Sequence, residues 1–284
     1  MRAGIRVLCV VIALVTAATA AMGIFMRGTG VSRSVTSVRG EVYEMATDGV
    51  YAFNAQRVVA EGVGWDLLTL VVIVPALLVA VLLLRRNSFR ARLFTLGLLL
   101  YLFYQYLMYA VTWSLGPLFL PFVVIYALSL VAIVQIAASF YGMDLRFAFT
   151  NDFPHRAMAV FSAVMGSLLV LMWIARIASA TLDAPQGILL GQQTLGVQAL
   201  DLGLVVPLSF LIAVLAWRRT VMGSILSPVF IIKSVGMCAA ICGMLLSAWV
   251  VEGALEIVPF AIFLVALVVS LWLAIAMYRS TVHS

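Results

Sequence analysis

Residues Asp66–Arg86 read DLLTLVVIVPALLVAVLLLRR. One acid opens the stretch, two arginines close it, and residues 67–84 between them carry no charge. About 20 apolar residues at about 1.5 Å of rise each match the ~30 Å hydrocarbon core of a bilayer. Backbone N–H and C=O groups in hydrocarbon must pair within the segment or a closed barrel. The run is continuous rather than alternating, so it reads as a helix and not as a barrel strand. The same pattern recurs at roughly 5–26, 65–84, 93–113, 117–140, 157–179, 196–217, 223–249 and 255–278. The expected fold is therefore an all-α, polytopic transmembrane helix bundle of about eight spans, one transmembrane domain over residues 1–284.

Composition agrees. The chain is 65% hydrophobic and 10% charged, with a mean hydropathy of +1.19. Soluble domains run at about 45–50% apolar and about 25% charged. The expected partner is thus the lipid bilayer. The net charge of +6 reads as membrane topology and not as nucleic-acid binding, because cytoplasmic loops collect Lys and Arg. Eleven basic residues fall on one side of the spans: Arg2, Arg6, Arg85, Arg86, Arg90, Arg92, Arg146, Arg156, Arg218, Arg219 and Arg279. The other side has Arg27, Arg33, Arg39 and Arg57, diluted by Glu41, Glu44, Asp48 and Glu61. This asymmetry predicts both termini in the cytoplasm, in a bacterial cytoplasmic membrane. Ala18-Thr19-Ala20 matches a signal-cleavage pattern, but the apolar run continues to Phe25, which reads as a retained anchor. Segment 27–64 is the sizeable external region and is expected to cap the bundle with a short surface helix.

An internal repeat accompanies the pattern. DLGLVVPLSFLIAVLAWRR, from Asp201, repeats the order of Asp-Leu, apolar stretch, Pro, apolar stretch and Arg-Arg seen from Asp66. The two segments are four spans apart and share an orientation, which suggests a duplicated four-helix unit, as in parallel-repeat transporters.

The lone lysine of the chain, Lys233, lies within VFIIKSVGM. It is about 15 Å into its span, near the middle of the membrane. An ammonium at that depth needs a carboxylate, carbonyls or water in a cavity. Asp66, Asp201 and Arg176 stand towards the same end of their spans, and with Lys233 they sum to zero charge. Arg176–Asp201 is the expected direct pair, with Lys233 reaching Asp201 through water. The alternative is a structural ion pair that fixes helix register. Tyr101, Gln105, Tyr109 and Thr112 share one helix face, a polar stripe suited either to a cavity wall or to interhelical hydrogen bonds. Tyr104, Tyr106 and Trp113 fall off that face and are expected to meet lipid or to pack. Gly236, Ala240, Gly243 and Ser247 give span seven a small-residue face.

Several chemistries lack their residues. Cys9, Cys238 and Cys242 form no Cys-x-x-Cys pair, and Cys238 and Cys242 have no His or acid beside them for a metal. The histidines, His155 and His283, lie outside the spans, so a haem-binding bundle is not expected. No phosphate-binding loop, nucleophile elbow or zinc-protease motif is present. No metal and no cofactor is expected, and an intramembrane enzyme is the least supported reading.

AQRVVAEGVGWDLLTLVVIVPALLVAVLLLRRNSFRARL, YLFYQYLMYAVTWSLGPLFLPFVVIYALSLVAIV and LDLGLVVPLSFLIAVLAWRR together resemble a widespread group of bacterial multi-pass membrane proteins with no assigned activity. The resemblance covers residues 54–245 and implies the architecture. That group announces its sixth span with a Pro- and His-containing segment before Leu-Asp-Leu. TLGVQALDL has neither, and Arg176 stands where an acid is expected, so roles built on those residues do not transfer. Two functions stay open. One is a small permease or ligand-binding membrane protein with a polar site for a small ligand or ion. The other is a non-catalytic accessory or assembly subunit with a membrane-protein partner. A deep cavity reaching Lys233 and Asp201 favours the first, and a dry interior with paired charges favours the second.

Overall fold

A computed structural model of the chain describes residues 3–86, 88–141, 143, 148–182, 189–192 and 194–281; Arg2, Arg146 and His283 lie outside them. Among these residues eight helices are long and apolar enough to cross a membrane. They are α1 (Ala3–Phe25), α2 (Gln56–Leu84), α3 (Phe89–Thr112), α4 (Phe119–Ala138), α5 (His155–Leu182), α6 (Gly196–Trp217), α7 (Val221–Glu252) and α8 (Ile257–Arg279). The chain is a multi-pass membrane protein with an all-α bundle. Helices α3 and α7 form its centre: 67% of their apolar stretch is buried, against 28–39% in the other six.

Glycine sets the approach of the central helices. A Cβ on Gly64 of α2 would strike the Gly243 carbonyl of α7 and come within 2.7 Å of Met244 N. Gly97 of α3 backs onto Ile232, and Gly236 of α7 onto Tyr101. In lipid, where apolar burial drives helices together only weakly, such close backbone packing supplies much of the attraction.

Two of the helices carry a π turn, Thr69–Ile73 in α2 and Asp201–Val205 in α6. Each is followed two residues later by a proline, Pro75 or Pro207. Proline has no N–H and its ring crowds the carbonyl four residues back. Those carbonyls belong to Val71 and Gly203, inside the two π turns. The wider turn relieves the clash within a continuous helix.

The repeat is real at the level of elements. Thr69/Asp201, Val74/Val206, Ser88/Thr220 and Phe89/Val221 open the π turn, the following helix, the cap and the next helix, all at one spacing of 132 residues (201 − 69). Thr95 and Ser227, also so related, each donate their hydroxyl to the carbonyl four residues back, Ala91 and Gly223. Helix α1 packs on α2 and α4, α2 on α3, and α3 on α4; correspondingly α5 packs on α6 and α8, α6 on α7, and α7 on α8. The halves meet through α3–α7, α2–α7 and α3–α6. The register differs from that read in the sequence: Asp201 corresponds to Thr69, three residues beyond Asp66, because the prolines and π turns, not the acids, are the equivalent features.

The expected capping helix over 27–64 is not formed. A hairpin stands there instead, β1 (Ser32–Thr36) and β2 (Val42–Ala46), paired antiparallel from Ser32–Ala46 to Thr36–Val42. Short alternating strands around a turn at Gly40, whose φ is +82°, account for it. The Thr29 N–H and hydroxyl both donate to Asp48 at 2.8 Å and hold its carboxyl below the usual aspartate range. Residues 56–64 belong to α2, which begins nine residues before the expected start.

Arg57, in the first turn of α2, clasps three helices at the hairpin end. Its guanidinium meets Glu61 at 2.9 Å, Glu252 of α7 at 3.3 Å and Glu256, at the head of α8. Exposed ion pairs each contribute up to ~1 kcal/mol and weaken with salt. Arg57→Ala is expected to lower stability by about 1–2 kcal/mol, with the deficit shrinking at high salt when unfolding is followed in nanodiscs.

Candidate functional site

The site starts from the π turn of α6. Asp201 is its first residue, and its carboxylate is buried among α3, α5 and α7. Tyr104 of α3 donates its hydroxyl to Oδ1. Trp173 of α5 donates its indole N–H to Oδ2 at 2.8 Å. The ring of Tyr104 then serves a second neighbour: Lys233 Nζ of α7 lies 4.6 Å from its centroid. The ammonium is thus attracted by a ring face whose hydroxyl is bound to the nearby carboxylate. Among the described residues no carboxylate lies within ion-pairing distance of Lys233.

These groups form the floor of a cavity of about 390 Å³. Its walls are apolar, with Met108, Met165, Met172, Met237 and Met244 beside Trp65, Trp113 and Trp173. Arg57, Glu61, Arg176 and Glu256 line its upper rim, and Leu189, Leu190 and Gln192 its roof. The size falls within the ~300–1,000 Å³ of small-molecule sites, and so does the chemistry, an apolar wall with few placed polar groups.

The roof is tied to the hairpin end. Leu190 and Gly191 both have positive φ, 50° and 79°, and their successive N–H groups reach one acceptor. The buried Glu41 carboxylate accepts both, at 3.1 and 3.3 Å. Tyr43 packs against Gly191, and Gln192 donates to the Thr112 carbonyl at 3.1 Å. Hydrogen bonds to a charged partner contribute about 1.5–3 kcal/mol. In Glu41→Ala, amide exchange at 189–192 is expected to quicken roughly thirty-fold, the equivalent of about 2 kcal/mol, while amides of α3 and α7 keep their protection.

The residues singled out in the sequence fall into two places. Lys233, Asp201, Arg176 and Tyr109 line the cavity. Asp66, Tyr101 and Gln105 do not; they belong to a separate buried knot between α1, α2 and α3. There Tyr51 donates to Asp66, Thr69 bonds to Tyr101 at 2.9 Å and to Gln105 Oε1 at 3.1 Å, and Gly23 of α1 closes over Asp66 and Tyr51. The neutral cluster of Asp66, Asp201, Arg176 and Lys233 is therefore divided. The expected Arg176–Asp201 pair is not formed either: Tyr104 and Trp173 hold Asp201, and the Arg176 guanidinium lies 5.9 Å over the Trp173 ring. Tyr104, placed by the sequence against lipid or in packing, is the bridge of the site. Trp173 and Glu41 were not singled out at all.

Thr69–Tyr101 and Asp201–Lys233 are equivalent pairs under the repeat. One half keeps a neutral, packed contact at this position. The other replaces both members by charged residues and opens a cavity beside them. The Asp201 carboxylate and Lys233 ammonium thus distinguish the second half from the first at this position, at a π turn of the kind often found at functional sites.

No protein-family model matches the chain, and no curated protein or solved structure does. The functional reading accordingly rests on the site.

Proposed function

We propose that the protein is a membrane-embedded receptor or small permease that binds a small amphipathic ligand in the cavity over Lys233 and Asp201. The carrying observation is an ammonium buried at the floor of an apolar cavity with no carboxylate of the described residues in pairing distance. Charged groups deep in a span are expensive and mark ligand or ion pathways. A purely structural ion pair would be closed on itself, and among the described residues Lys233 forms none. The arginine-rich end, with Arg85, Arg86, Arg90, Arg218 and Arg219, is the cytoplasmic side. The hairpin, the roof and the mouth of the cavity then face outward from a bacterial cytoplasmic membrane, with both termini inside.

The reading is tested by screening C8–C12 carboxylates, alcohols and quaternary amines against nanodisc-embedded protein. The readouts are melting temperature and the emission of Trp65, Trp113 and Trp173. Met237→Trp, which fills the cavity one helical turn from Lys233, is the control. At least one class is expected to raise the melting temperature of the wild type and not of the filled variant. No response from any class would sink the binding reading and leave the accessory-subunit one.

A further inference from the structure

Resting on that reading, we infer that the ligand is an amphipathic acid, with a carboxylate or similar small oxyanion head on Lys233 and an apolar body along the methionine and tryptophan wall. The hydrogen-bonding capacity of the floor decides the sign of the head. Each oxygen of Asp201 already accepts from a protein donor, Tyr104 on one and Trp173 on the other. Lys233 has three N–H donors, and among the described residues it donates none of them to a protein acceptor; its contact is with the Tyr104 ring face. The floor therefore offers three unspent donors on Lys233, while each Asp201 oxygen already carries one donor and has a single lone-pair site left. A ligand head that accepts hydrogen bonds completes it, whereas a cationic head would meet Lys233 as a like charge.

The rim agrees with an arriving anion. Glu61 and Glu256, the carboxylates at the mouth, are both held by Arg57, and Arg57 and Arg176 together match them in number along the lining. The wall suits an apolar body of variable shape: thioether side chains are flexible and polarisable and repack around irregular surfaces. Charge-assisted N⁺–H···O⁻ bonds are short and stronger than neutral ones, so the head supplies orientation and the wall supplies area.

Decanoate, decanol and decyltrimethylammonium, matched in chain length, separate head from wall in nanodisc-embedded protein titrated by tryptophan emission. Decanoate is expected to bind at least ten-fold more tightly than either. Lys233→Gln should erase that preference, weakening decanoate by at least ten-fold and decanol by less. Tyr104→Phe, which frees one Asp201 oxygen and removes little volume, should reduce the preference for the acid. It serves as the second arm if Lys233→Gln does not fold. Decanol or the amine binding as well as decanoate would overturn the acid head but keep the cavity as a binding site. A preference for decanoate that survives both substitutions would likewise overturn it. No binding of any of the three would remove both inferences. Palmitate preloaded in the disc, compared with octanoate added from solution, distinguishes a membrane-derived acid from a water-borne one.

Discussion

Asp201→Ala is expected to lower folding stability by about 2–4 kcal/mol, chiefly the cost of leaving two buried donors without their acceptor. Three groups lose their acceptor or counter-charge at once. The Tyr104 hydroxyl and the Trp173 indole N–H each donate to Asp201, and an unsatisfied buried donor costs about 1–3 kcal/mol. Lys233, over the Tyr104 ring, is beyond ion-pairing distance of Asp201 but loses the field of that nearby carboxylate. Lys233→Met alone should cost less, since Asp201 keeps both of its donors. Adding Lys233→Met to Asp201→Ala should restore about half of the loss, because the cation no longer needs an anion; the two residues are coupled, so their effects will not add. Reversible unfolding of the four proteins in mixed micelles completes the cycle. A double variant no more stable than Asp201→Ala would show that the carboxylate serves Tyr104 and Trp173 alone.

Gly64→Ala should be nearly as damaging, for a reason unconnected with charge. Its new Cβ would enter the backbone of α7 at Gly243 and Met244, and neither backbone can step aside as a flexible side chain can. Overpacking typically costs about 1–3 kcal/mol and more where backbone must move; here we expect about 3 kcal/mol. The reciprocal change, Gly243→Ala, places a Cβ 3.2 Å from the Gly64 carbonyl. That contact is tight, not impossible, and should cost about 1 kcal/mol, the lower end of overpacking. Gly203→Ala meets nothing within 4 Å and should be neutral or stabilise by up to about 0.5–1 kcal/mol, as expected for glycine inside a helix. Equal losses at Gly64 and Gly203 would mean that helix propensity, not the α2–α7 crossing, governs these positions.

The amino-acid sequence by itself determined the eight spans, because a ~30 Å apolar solvent imposes one length and one backbone solution on every crossing segment. It suggested the repeat as well, in a register set by Asp66 and Asp201; the structure moved that register to Pro75 and Pro207, which each force a local change in their helix. It also brought Lys233 and Asp201 forward, since a charge in an apolar run is visible without a structure. Segment 27–64 read less well, because a short polar stretch carries little periodicity, and the nine residues of α2 that include Arg57 and Glu61 look like loop until their partners on α7 and α8 are known.

Only the tertiary structure decided who meets whom. Tyr101, Tyr104 and Gln105 are neighbours in the chain, yet helical rotation sends Tyr101 and Gln105 to Thr69 and Tyr104 to Asp201. Asp66 and Asp201 look alike in sequence, but Asp66 ends in a packed knot under Gly23, and Asp201 on the floor of a cavity. A charge announces itself along the chain because its solvation cost is local. Whether it is closed by a partner or left facing a cavity depends on the azimuth and crossing of separate helices, which no single segment encodes.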